Sequence, residues 1–363
     1  MKILIVTNEM QFIEKFKAEW LEELHRLNHD VTLLCNVGNF SKFDSTNINL
    51  INFNLVSRSL NPFGALNSLY RYYKLINNIC PDVIVTFTIK PNVFIGFICK
   101  LLNINQIQVI SGLGSAYHHS KALRSVVMWL YRKSNHKRIF RIYENEQIKK
   151  IFEQYKIHSK DNVIVAGSGV NLTKFKFHPL IRNDITKFAF VGRLIADKGI
   201  YDLLEACNIL NAEGYNFELL IAGDTTNFKR YKDIGSPSIK FLGYLENVSS
   251  LLNSIDCLIH PSYHEGMANA ILEASAVGRI VIASNINGCM EAIDSNRNGF
   301  LFEPGKPREI ANAMKKVIKM THNEKIEFSE YARKKVEKQF DRESVNKIFT
   351  NCIERIFNED GYS

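Results

Sequence analysis

The chain has 363 residues, of which 46% are hydrophobic, and a net charge of +9. Because this length exceeds what a single α/β core comfortably fills, it predicts two domains. No apolar run reaches the roughly 18–20 residues of a membrane-spanning helix, and the apolar run at the N-terminus is too short for a secretory signal. The seven dispersed cysteines include no Cys-x-x-Cys pair, which favours reduced thiols in a cytosol over a disulfide framework or a zinc site.

The first half of the chain alternates strand patterns with helical patterns. The continuous apolar run Val83–Phe87 is typical of a central parallel strand, since both faces of such a strand are covered. Repeated βα units predict a doubly wound sheet that binds ligands at the carboxyl ends of its strands. The predicted strands are 2–7, 31–35, 48–54, 83–87 and 107–110, and the predicted helices are 12–27, 67–79, 93–102 and 121–134.

A second βα series follows a Gly-rich turn and an irregular basic segment. We therefore predict a Rossmann-like domain over 1–165, a linker over 166–185 and a second Rossmann-like domain over 186–340. The predicted strands of the second series are 188–191, 217–221, 239–242, 256–260, 279–283 and 299–302. Its predicted helices are 199–210, 248–253, 268–277 and 307–320, with two charged amphipathic helices between 324 and 357.

Two glutamates eight positions apart, Glu265 and Glu273, flank a glycine turn between a strand and a helix. A strand, a tight turn and a helix N-terminus form a platform for anionic ligands. Carboxylates at such a platform are better placed to accept hydrogen bonds from sugar or ribose hydroxyls than to hold phosphate. The pattern predicts a nucleotide-sugar site, although Glu273 also fits a solvent-facing helix position and Glu265 a charge that favours the helix dipole.

The segment from Gly192 to Gly199 also follows a predicted strand and opens a helix. Arg193 can bind phosphate oxygens bidentately, and Lys198 adds a point charge. Together they would neutralise a diphosphate and favour its departure, although a basic loop after a strand is common. Main-chain groups near Gly243 and Tyr244 are candidates for contacts to a nucleobase. Because no Asp-x-Asp occurs, we predict no catalytic metal and no other cofactor.

Candidate acceptor contacts follow two strands of the first half. Asn8, Glu9 and Met10 lie at the end of the first strand. The Gly-rich loop that contains Gly114 continues to His118 and His119, and either histidine could orient a hydroxyl or contact a phosphate. We take His118 as a candidate catalytic residue, although a histidine in a loop is more often merely solvated.

The stretch from Lys121 to Lys150 has nine Lys or Arg against two Glu, a net charge of +7. A basic stretch with aromatic and aliphatic partners suits an anionic membrane surface. A solvated helix whose apolar side packs into the core explains it equally well, and nucleic acid is a weaker choice because no nucleic-acid motif accompanies the charge. The interleaved apolar residues are Val126, Val127, Met128, Trp129, Leu130, Tyr131, Ile139 and Phe140.

The motifs of the second half resemble those of the family-4 glycosyltransferases, which have the GT-B fold of two Rossmann-like domains facing a central cleft. Further motifs, most of them in the first half, are similar to a bacterial subgroup that includes an N-acetylgalactosaminyl transferase acting on undecaprenyl-diphosphate-linked sugars. The second-half motifs are Gly192-Arg193…Lys198-Gly199, Phe241-Leu242-Gly243, Pro261-Ser262…Glu265-Gly266…Asn269…Leu272-Glu273-Ala274 and Val281-Ile282-Ala283-Ser284. The subgroup motifs are Ser59-Leu60-Asn61-Pro62-Phe63, Gly112-Leu113-Gly114-Ser115, Gly169-Val170-Asn171 and Gly288-Cys289-Met290-Glu291.

The resemblance implies a retaining transfer from a UDP-sugar. It places Arg193 and Lys198 on the diphosphate and Glu273 on the ribose. It places Glu265 at the transferred sugar, together with the turn formed by Gly266, Met267, Ala268 and Asn269. In the family the donor phosphate is thought to take the acceptor proton while the glutamate stabilises an oxocarbenium-like sugar. The chain lacks the Gly-Gly pair that many members carry after the first strand. The resemblance also implies that the C-terminal helix, over 341–363, braces the first domain.

The sequence therefore predicts a cytoplasmic glycosyltransferase that is peripheral on the inner face of the cytoplasmic membrane. We expect it to move a hexose or an N-acetylhexosamine from a UDP-sugar to a polyprenyl-diphosphate-linked saccharide in bacterial surface-glycan biosynthesis. Two alternatives stay open at this point. One is a GT-B UDP-sugar epimerase, and the other is a non-catalytic nucleotide-sugar-binding protein.

Overall fold

A computed structural model describes residues 1–38, 48–53, 62–112, 120–224 and 236–359. The chain divides into two compact units. Unit 1 consists of Met1–Ser168 together with Ser344–Ser363, and unit 2 consists of Gly169–Glu343. Both units are α/β, as the alternating patterns predict.

Unit 1 contains a seven-stranded parallel sheet in the order β3-β2-β1-β4-β5-β6-β7. The order reverses between the neighbours β1 and β4, which makes this the topological switch point of the sheet. The strands are β1 (Lys2–Glu9), β2 (Asp30–Asn36), β3 (Asn49–Asn52), β4 (Val83–Phe87), β5 (Asn105–Ile110), β6 (Ile139–Tyr143) and β7 (Asp161–Ile164). Among the described residues that precede unit 2, the helices are α1 (Met10–Phe16), α2 (Ala18–Arg26), α3 (Pro62–Ile79), α4 (Ile89–Leu102), α5 (Lys121–Ser134) and α6 (Glu146–Gln154).

Several elements of unit 1 differ from the sequence prediction, and the helix α6 (Glu146–Gln154) was not predicted. The helix expected over 12–27 is broken at Lys17, whose φ of −133° leaves the helical region. The stretch from Lys121 to Lys150 contains the strand β6, which the sequence did not reveal because the charged Arg141 interrupts its apolar run. The Arg141 side chain is nevertheless buried, and it donates to Gln108 Oε1 at 3.0 Å and to Asn135 Oδ1 at 2.6 Å.

The helix α13 (Arg342–Glu359) ends the described chain and supplies core residues to unit 1. Val345, Phe349 and Ile353 are buried in the same apolar cluster as residues of β1 and α2. The Phe349 ring lies 5.3 Å from the Trp20 ring, between centroids. A helix with its apolar side buried in this way is a structural part of unit 1.

Unit 2 contains a six-stranded parallel sheet in the order β10-β9-β8-β11-β12-β13, which reverses between β8 and β11. The strands are β8 (Thr186–Val191), β9 (Phe217–Ala222), β10 (Ile239–Gly243), β11 (Cys257–His260), β12 (Ile280–Ser284) and β13 (Gly299–Phe302). The α-helices in the described part of unit 2 are α7 (Ile200–Ala212), α8 (Ser249–Asn253), α9 (Asn269–Ala276), α10 (Asn287–Met290), α11 (Pro307–Lys319) and α12 (His322–Gln339).

The segment predicted as a linker, 166–185, packs on unit 2 over much of its length. Val170 N–H donates to the carbonyl of Phe340 at 2.8 Å, and Arg333 Nη1 donates to the carbonyl of Phe175 at 2.9 Å. Phe175 is itself buried. Irregular, basic composition indicates that a segment lacks regular secondary structure, but it does not show whether that segment packs.

All seven cysteines carry free thiols, and all but Cys80 are buried. Within the described ranges, no helix is long and apolar enough to cross a bilayer.

Candidate active site

Two loops meet at the switch point of unit 2, where β8 and β11 lie side by side. The first loop runs from Gly192 to Gly199, and the second runs from Pro261 to Ala268. Tyr263 N–H donates to the carbonyl of Asp197 at 3.0 Å. Gly199 has a φ of +67°, and a Cβ at this position would overlap the carbonyl oxygen of Pro261. The loops therefore need a glycine at 199 to approach each other.

The Glu265 carboxylate lies between a lysine of the first loop and a histidine of β11. Its Oε1 accepts from Lys198 Nζ at 2.5 Å and from His260 Nε2 at 2.8 Å. Only 13% of the Glu265 side chain and 7% of the His260 side chain are exposed. Both bonds go to Oε1, and across the described ranges none goes to Oε2. Glu265 is thus held through one oxygen while the other can accept a hydrogen bond from a ligand.

The ionisation of Glu265 follows from these partners. Burial alone would raise its pKa, but the hydrogen bond and charge of His260 and the charge and hydrogen bond of Lys198 lower the pKa to about 2. Glu265 is therefore a carboxylate at neutral pH. A fixed, partly buried carboxylate can stabilise positive charge that develops on a ligand.

The backbone after Glu265 is fixed by a close contact with α10. A Cβ on Gly288 would lie 2.7 Å from the Cβ of Glu265, and Ala268 N–H donates to the carbonyl of Gly288 at 3.0 Å. Met267 and Ala268 are buried, so the turn that begins at Gly266 is anchored in unit 2. It leads into the N-terminus of α9, whose partial positive charge favours anions.

The first residues of α9 carry two of the predicted donor contacts. Asn269 Oδ1 is buried and has no hydrogen-bond partner among the residues that the structure describes. Glu273 lies one turn further along and is half-buried. Both side chains belong to the helix that follows the Glu265 turn, as the sequence predicts.

Sequence reasoning missed His260. His260 ends the apolar run of β11, so the sequence pattern groups it with the buried residues of that strand. The available signal was a polar residue at the carboxyl end of a strand, directly before Pro261. A second missed pair braces the same loops: Tyr263 Oη donates to Asp202 Oδ2 at 2.7 Å, and this hydrogen bond, with burial, raises the pKa of Tyr263 to about 12.

The remaining predicted donor residues lie on the same edge of the sheet. Arg193 is exposed in the loop that carries Lys198. Gly243 ends β10 with a φ of +73° and open space around it, and Tyr244 beside it is 61% exposed. The structure leaves Arg193, Gly243 and Tyr244 accessible without bringing them into contact with Glu265.

The predicted acceptor residues of unit 1 have different surroundings. Asn8 and Glu9 end β1 and retain accessible surface, whereas Met10 is 2% exposed and accepts a weak hydrogen bond from Cys35 Sγ at 3.6 Å. Met10 is therefore a core residue, because the helix that it opens packs on the sheet. Gly114, His118 and His119 lie outside the described residues.

Thr88 is an unpredicted candidate at the switch point of unit 1. It follows β4, the neighbour of β1, and has a φ of +70°, which is rare for a β-branched residue. Thr88 Oγ1 and Asn8 Oδ1 are both buried and lack a hydrogen-bond partner in the described part of the chain. Backbone strain beside unsatisfied oxygens is characteristic of functional positions.

Comparison with known families decides the class of the protein. Residues 171–335 match the family model of glycosyl transferases group 1, and residues 2–146 match the glycosyl transferase 4-like model. This chain belongs to the glycosyltransferases. The resemblance to family 4 that the sequence motifs carry is thereby confirmed.

Several named glycosyltransferases are similar to it over most of their length. The capsular polysaccharide biosynthesis glycosyltransferase CapM of Staphylococcus aureus is 26% identical over 90% of each chain. The N,N'-diacetylbacillosaminyl-diphospho-undecaprenol alpha-1,3-N-acetylgalactosaminyltransferase of Campylobacter jejuni is 24% identical over 78% of this chain and 80% of its own. The UDP-Gal:alpha-D-GlcNAc-diphosphoundecaprenol alpha-1,3-galactosyltransferase of Escherichia coli is 24% identical over 84% of each.

Solved structures confirm the predicted GT-B fold. A glycosyltransferase from Rickettsia africae superposes with a TM-score of 0.78 at 21% identity, over 98% of each chain. Anabaena HepE in complex with UDP-glucose superposes with a TM-score of 0.76 at 18% identity, over 98% of this glycosyltransferase and all of HepE.

Proposed function

We propose that this glycosyltransferase moves a hexose or an N-acetylhexosamine from a UDP-sugar, with retention of configuration, to a polyprenyl-diphosphate-linked saccharide in bacterial surface-glycan biosynthesis. The observation that carries the proposal is the Glu265 carboxylate, held by Lys198 and His260 at the switch point of unit 2. Two relatives whose names specify diphosphoundecaprenol acceptors, and one solved relative bound to UDP-glucose, support the choice of substrates.

In the proposed reaction, Arg193, Lys198 and the N-terminus of α9 stabilise the donor diphosphate as the bond from the sugar C1 to its phosphate oxygen breaks. The acceptor hydroxyl oxygen bonds to C1 from the same face, and its proton passes to the departing phosphate oxygen. Positive charge that develops on the sugar faces Glu265. Lys198 interacts with both the donor diphosphate and the Glu265 carboxylate in this proposal, since it lies in the loop after β8 and already donates to Glu265.

The other contacts complete the proposal. Glu273 accepts from the ribose hydroxyls, and main-chain groups at Gly243 and Tyr244 contact the base. Asn8, Glu9 and Thr88 contact the acceptor in this proposal. His118 or His119, together with Gly114, remains proposed for the acceptor side.

The deciding experiment is a screen of UDP-sugars against sugar-diphospho-undecaprenol acceptors, with UDP release as the signal. UDP release that requires an acceptor is the expected result. Conversion of a UDP-sugar into its epimer without an acceptor would support the epimerase alternative. Donor binding without turnover for any acceptor would instead point to a binding protein.

We further propose that catalysis uses no metal, since Arg193, Lys198 and the α9 N-terminus supply the positive charge. EDTA is therefore expected to leave the initial rate of UDP release unchanged. The measurement compares rates with EDTA, without it, and after manganese is added back. Activity that disappears with EDTA and returns with manganese would contradict metal-free catalysis.

We also propose that the enzyme is peripheral on the inner face of the cytoplasmic membrane. Five apolar residues of the stretch from Lys121 to Lys150 are buried and so are not available to contact a membrane surface: Val127, Met128, Tyr131, Ile139 and Phe140. The stretch from Lys121 to Lys150 therefore does not form one amphipathic face. Its accessible apolar part is on α5, where Val126 is 51% and Trp129 is 55% exposed and where three exposed cations lie on the same helix, at Lys121, Arg132 and Lys133.

Replacing Trp129 with serine is expected to weaken binding to vesicles that contain phosphatidylglycerol by about tenfold, since burial of one large apolar side chain is lost. Sedimentation with the vesicles at low salt measures the binding. The matched control is Ile181→Ser, which changes a residue of unit 2 that is 60% exposed and should have no effect. Equal binding by the two variants would exclude α5 as the contact surface.

Removing His260 is expected to shift the pH profile of the enzyme. His260 lowers the pKa of Glu265, so His260→Ala should raise that pKa and move the acid limb of kcat/KM to higher pH. His260→Gln keeps an N–H donor and should shift the limb less. A profile that is identical in all three proteins would show that His260 does not control the ionisation of Glu265.

A further inference from the structure

Arg141 is a buried cation whose hydrogen bonds use only part of its guanidinium. It lies in the middle of β6 and is 0% exposed. Its Nε donates to Gln108 Oε1, and its Nη2 donates to Asn135 Oδ1. Its Nη1 is buried as well, but it has no hydrogen-bond partner among the residues that the structure describes. A buried donor without an acceptor is costly, so Nη1 is placed to donate to a ligand.

The charge of Arg141 is also not balanced by an acidic side chain. No carboxylate in the described ranges pairs with it, and the titratable side chains that act on its guanidinium are the phenols of Tyr131 and Tyr143. Burial raises the pKa of both phenols, so they are neutral at pH 7 and supply dipoles rather than charge. Burial lowers the pKa of Arg141, but a guanidinium stays protonated in proteins. An anion would therefore stabilise this buried positive charge.

His136 supplies a second buried donor. Its Nδ1 accepts from the backbone N–H of Arg138 at 3.3 Å, which leaves the proton of the neutral ring on Nε2. Burial, followed by the charges of Arg141, Lys100 and Arg138, lowers the pKa of His136 to about 4, so the ring is neutral at pH 7. In the described part of the chain, Nε2 is buried and lacks a hydrogen-bond partner.

The two donors belong to one region of unit 1. Asn135, which accepts from Arg141, is the residue directly before His136. Among the charges that act on His136, that of Arg141 has the largest effect. The Phe152 ring lies 5.5 Å from the guanidinium carbon, between Cζ and the ring centroid, and so covers one face of the guanidinium. A ligand of Nη1 therefore approaches in the plane of the guanidinium, where the N–H groups point.

We propose that unit 1 binds a small inorganic anion, such as chloride, which accepts from Arg141 Nη1 and from His136 Nε2. Both nitrogens are out of contact with solvent, so the site suits an ion of one or a few atoms. A water molecule would accept from the same two donors, but it would leave the charge of Arg141 unbalanced. The site uses none of the proposed donor or acceptor contacts, so this proposal does not rest on the proposed function.

The direct test locates the anion in crystals of the full chain soaked in sodium bromide. Bromide scatters X-rays anomalously near its absorption edge, whereas water does not. We expect an anomalous peak within hydrogen-bonding distance of Arg141 Nη1 and His136 Nε2. Density at this position without an anomalous signal would identify a water molecule and overturn the proposal, and so would a position without density.

A solution measurement shows whether the anion also binds outside a crystal. Urea unfolding is followed by the fluorescence of Trp20 and Trp129, which are both in unit 1. The samples hold equal sodium concentrations, as chloride or as gluconate, whose anion is too large for a buried site. Because the anion binds only the folded form, chloride at about ten times its dissociation constant should raise the folding equilibrium constant about tenfold. Identical unfolding in the two salts would overturn the proposal.

Three variants separate a site from a general effect of salt. Arg141→Met removes the buried charge and should unfold identically in the two salts. His136→Leu keeps the charge but removes one donor, so it should bind chloride about tenfold more weakly, and it decides the test if Arg141→Met does not fold. The matched control is Arg26→Met, at an exposed position of α2, which should respond to chloride as the unmodified enzyme does. A chloride effect of the same size in all variants would overturn the proposal.

Discussion

Replacing Glu265 with glutamine is expected to lower kcat/KM for sugar transfer by about 100- to 1,000-fold. Glutamine has nearly the same size, but it cannot carry the negative charge that would face the reacting sugar. Lys198 and His260 would also lose the carboxylate that they share. The initial rate of acceptor-dependent UDP release measures the effect.

The control for this variant is Glu330→Gln. Glu330 is exposed on α12 and pairs with Lys334 one turn away at 3.5 Å. An exposed ion pair of this kind contributes little to stability, so its loss should not affect turnover. Both variants should show the same circular dichroism spectrum. A folded Glu265→Gln enzyme that turns over at the unmodified rate would refute the proposed role of the carboxylate.

Truncating Phe349 to alanine is expected to lower the free energy of unfolding of unit 1 by about 3–5 kcal/mol. Phe349 is 2% exposed and contacts the rings of Trp20 and Phe87. Lys17 Nζ also lies 3.8 Å from the centroid of its ring. The substitution leaves a cavity in the core and removes the nearer of the two aromatic rings that contact the buried Lys17 cation, the other being Trp20.

The chain offers a selective probe for this effect, because its two tryptophans, Trp20 and Trp129, are both in unit 1. Urea unfolding followed by tryptophan fluorescence should show a lower midpoint for Phe349→Ala. Phe349→Leu keeps most of the volume and should cost less than about 1.5 kcal/mol. An unchanged fluorescence midpoint for the alanine variant would show that α13 does not stabilise unit 1.

The sequence predicted most of the fold because apolar runs and helical periodicity are local signals. It placed Lys198 and Glu265 in the loops after β8 and β11. It did not show that these loops touch, since that contact depends on the neighbouring position of the two strands and on Gly199 beside Pro261. The shared Oε1 of Glu265 follows from this nonlocal contact.

The missed features have related causes. His260 and Arg141 are polar residues within buried strands. The apolar pattern of β11 drew attention away from His260 as a site residue. The charge of Arg141 interrupts the apolar pattern of β6, so that strand was not predicted. Thr88 is recognisable only from its φ of +70°, which sequence composition does not encode. The break at Lys17 leaves the amphipathic period of the surrounding helices nearly unchanged, so periodicity predicted one helix there.

The discontinuity of unit 1 has a consequence for synthesis of the protein. Ile3 and Phe349 pack in the same core, and the whole of unit 2 lies between them in the chain. A ribosome that adds roughly 5–20 residues per second needs on the order of 10 to 40 seconds to progress from Ser168 to Phe349. During that interval unit 2 can finish folding while the apolar surface around Trp20 still lacks α13. Nascent chains stalled before Phe349 should therefore be the ones that chaperones recognise.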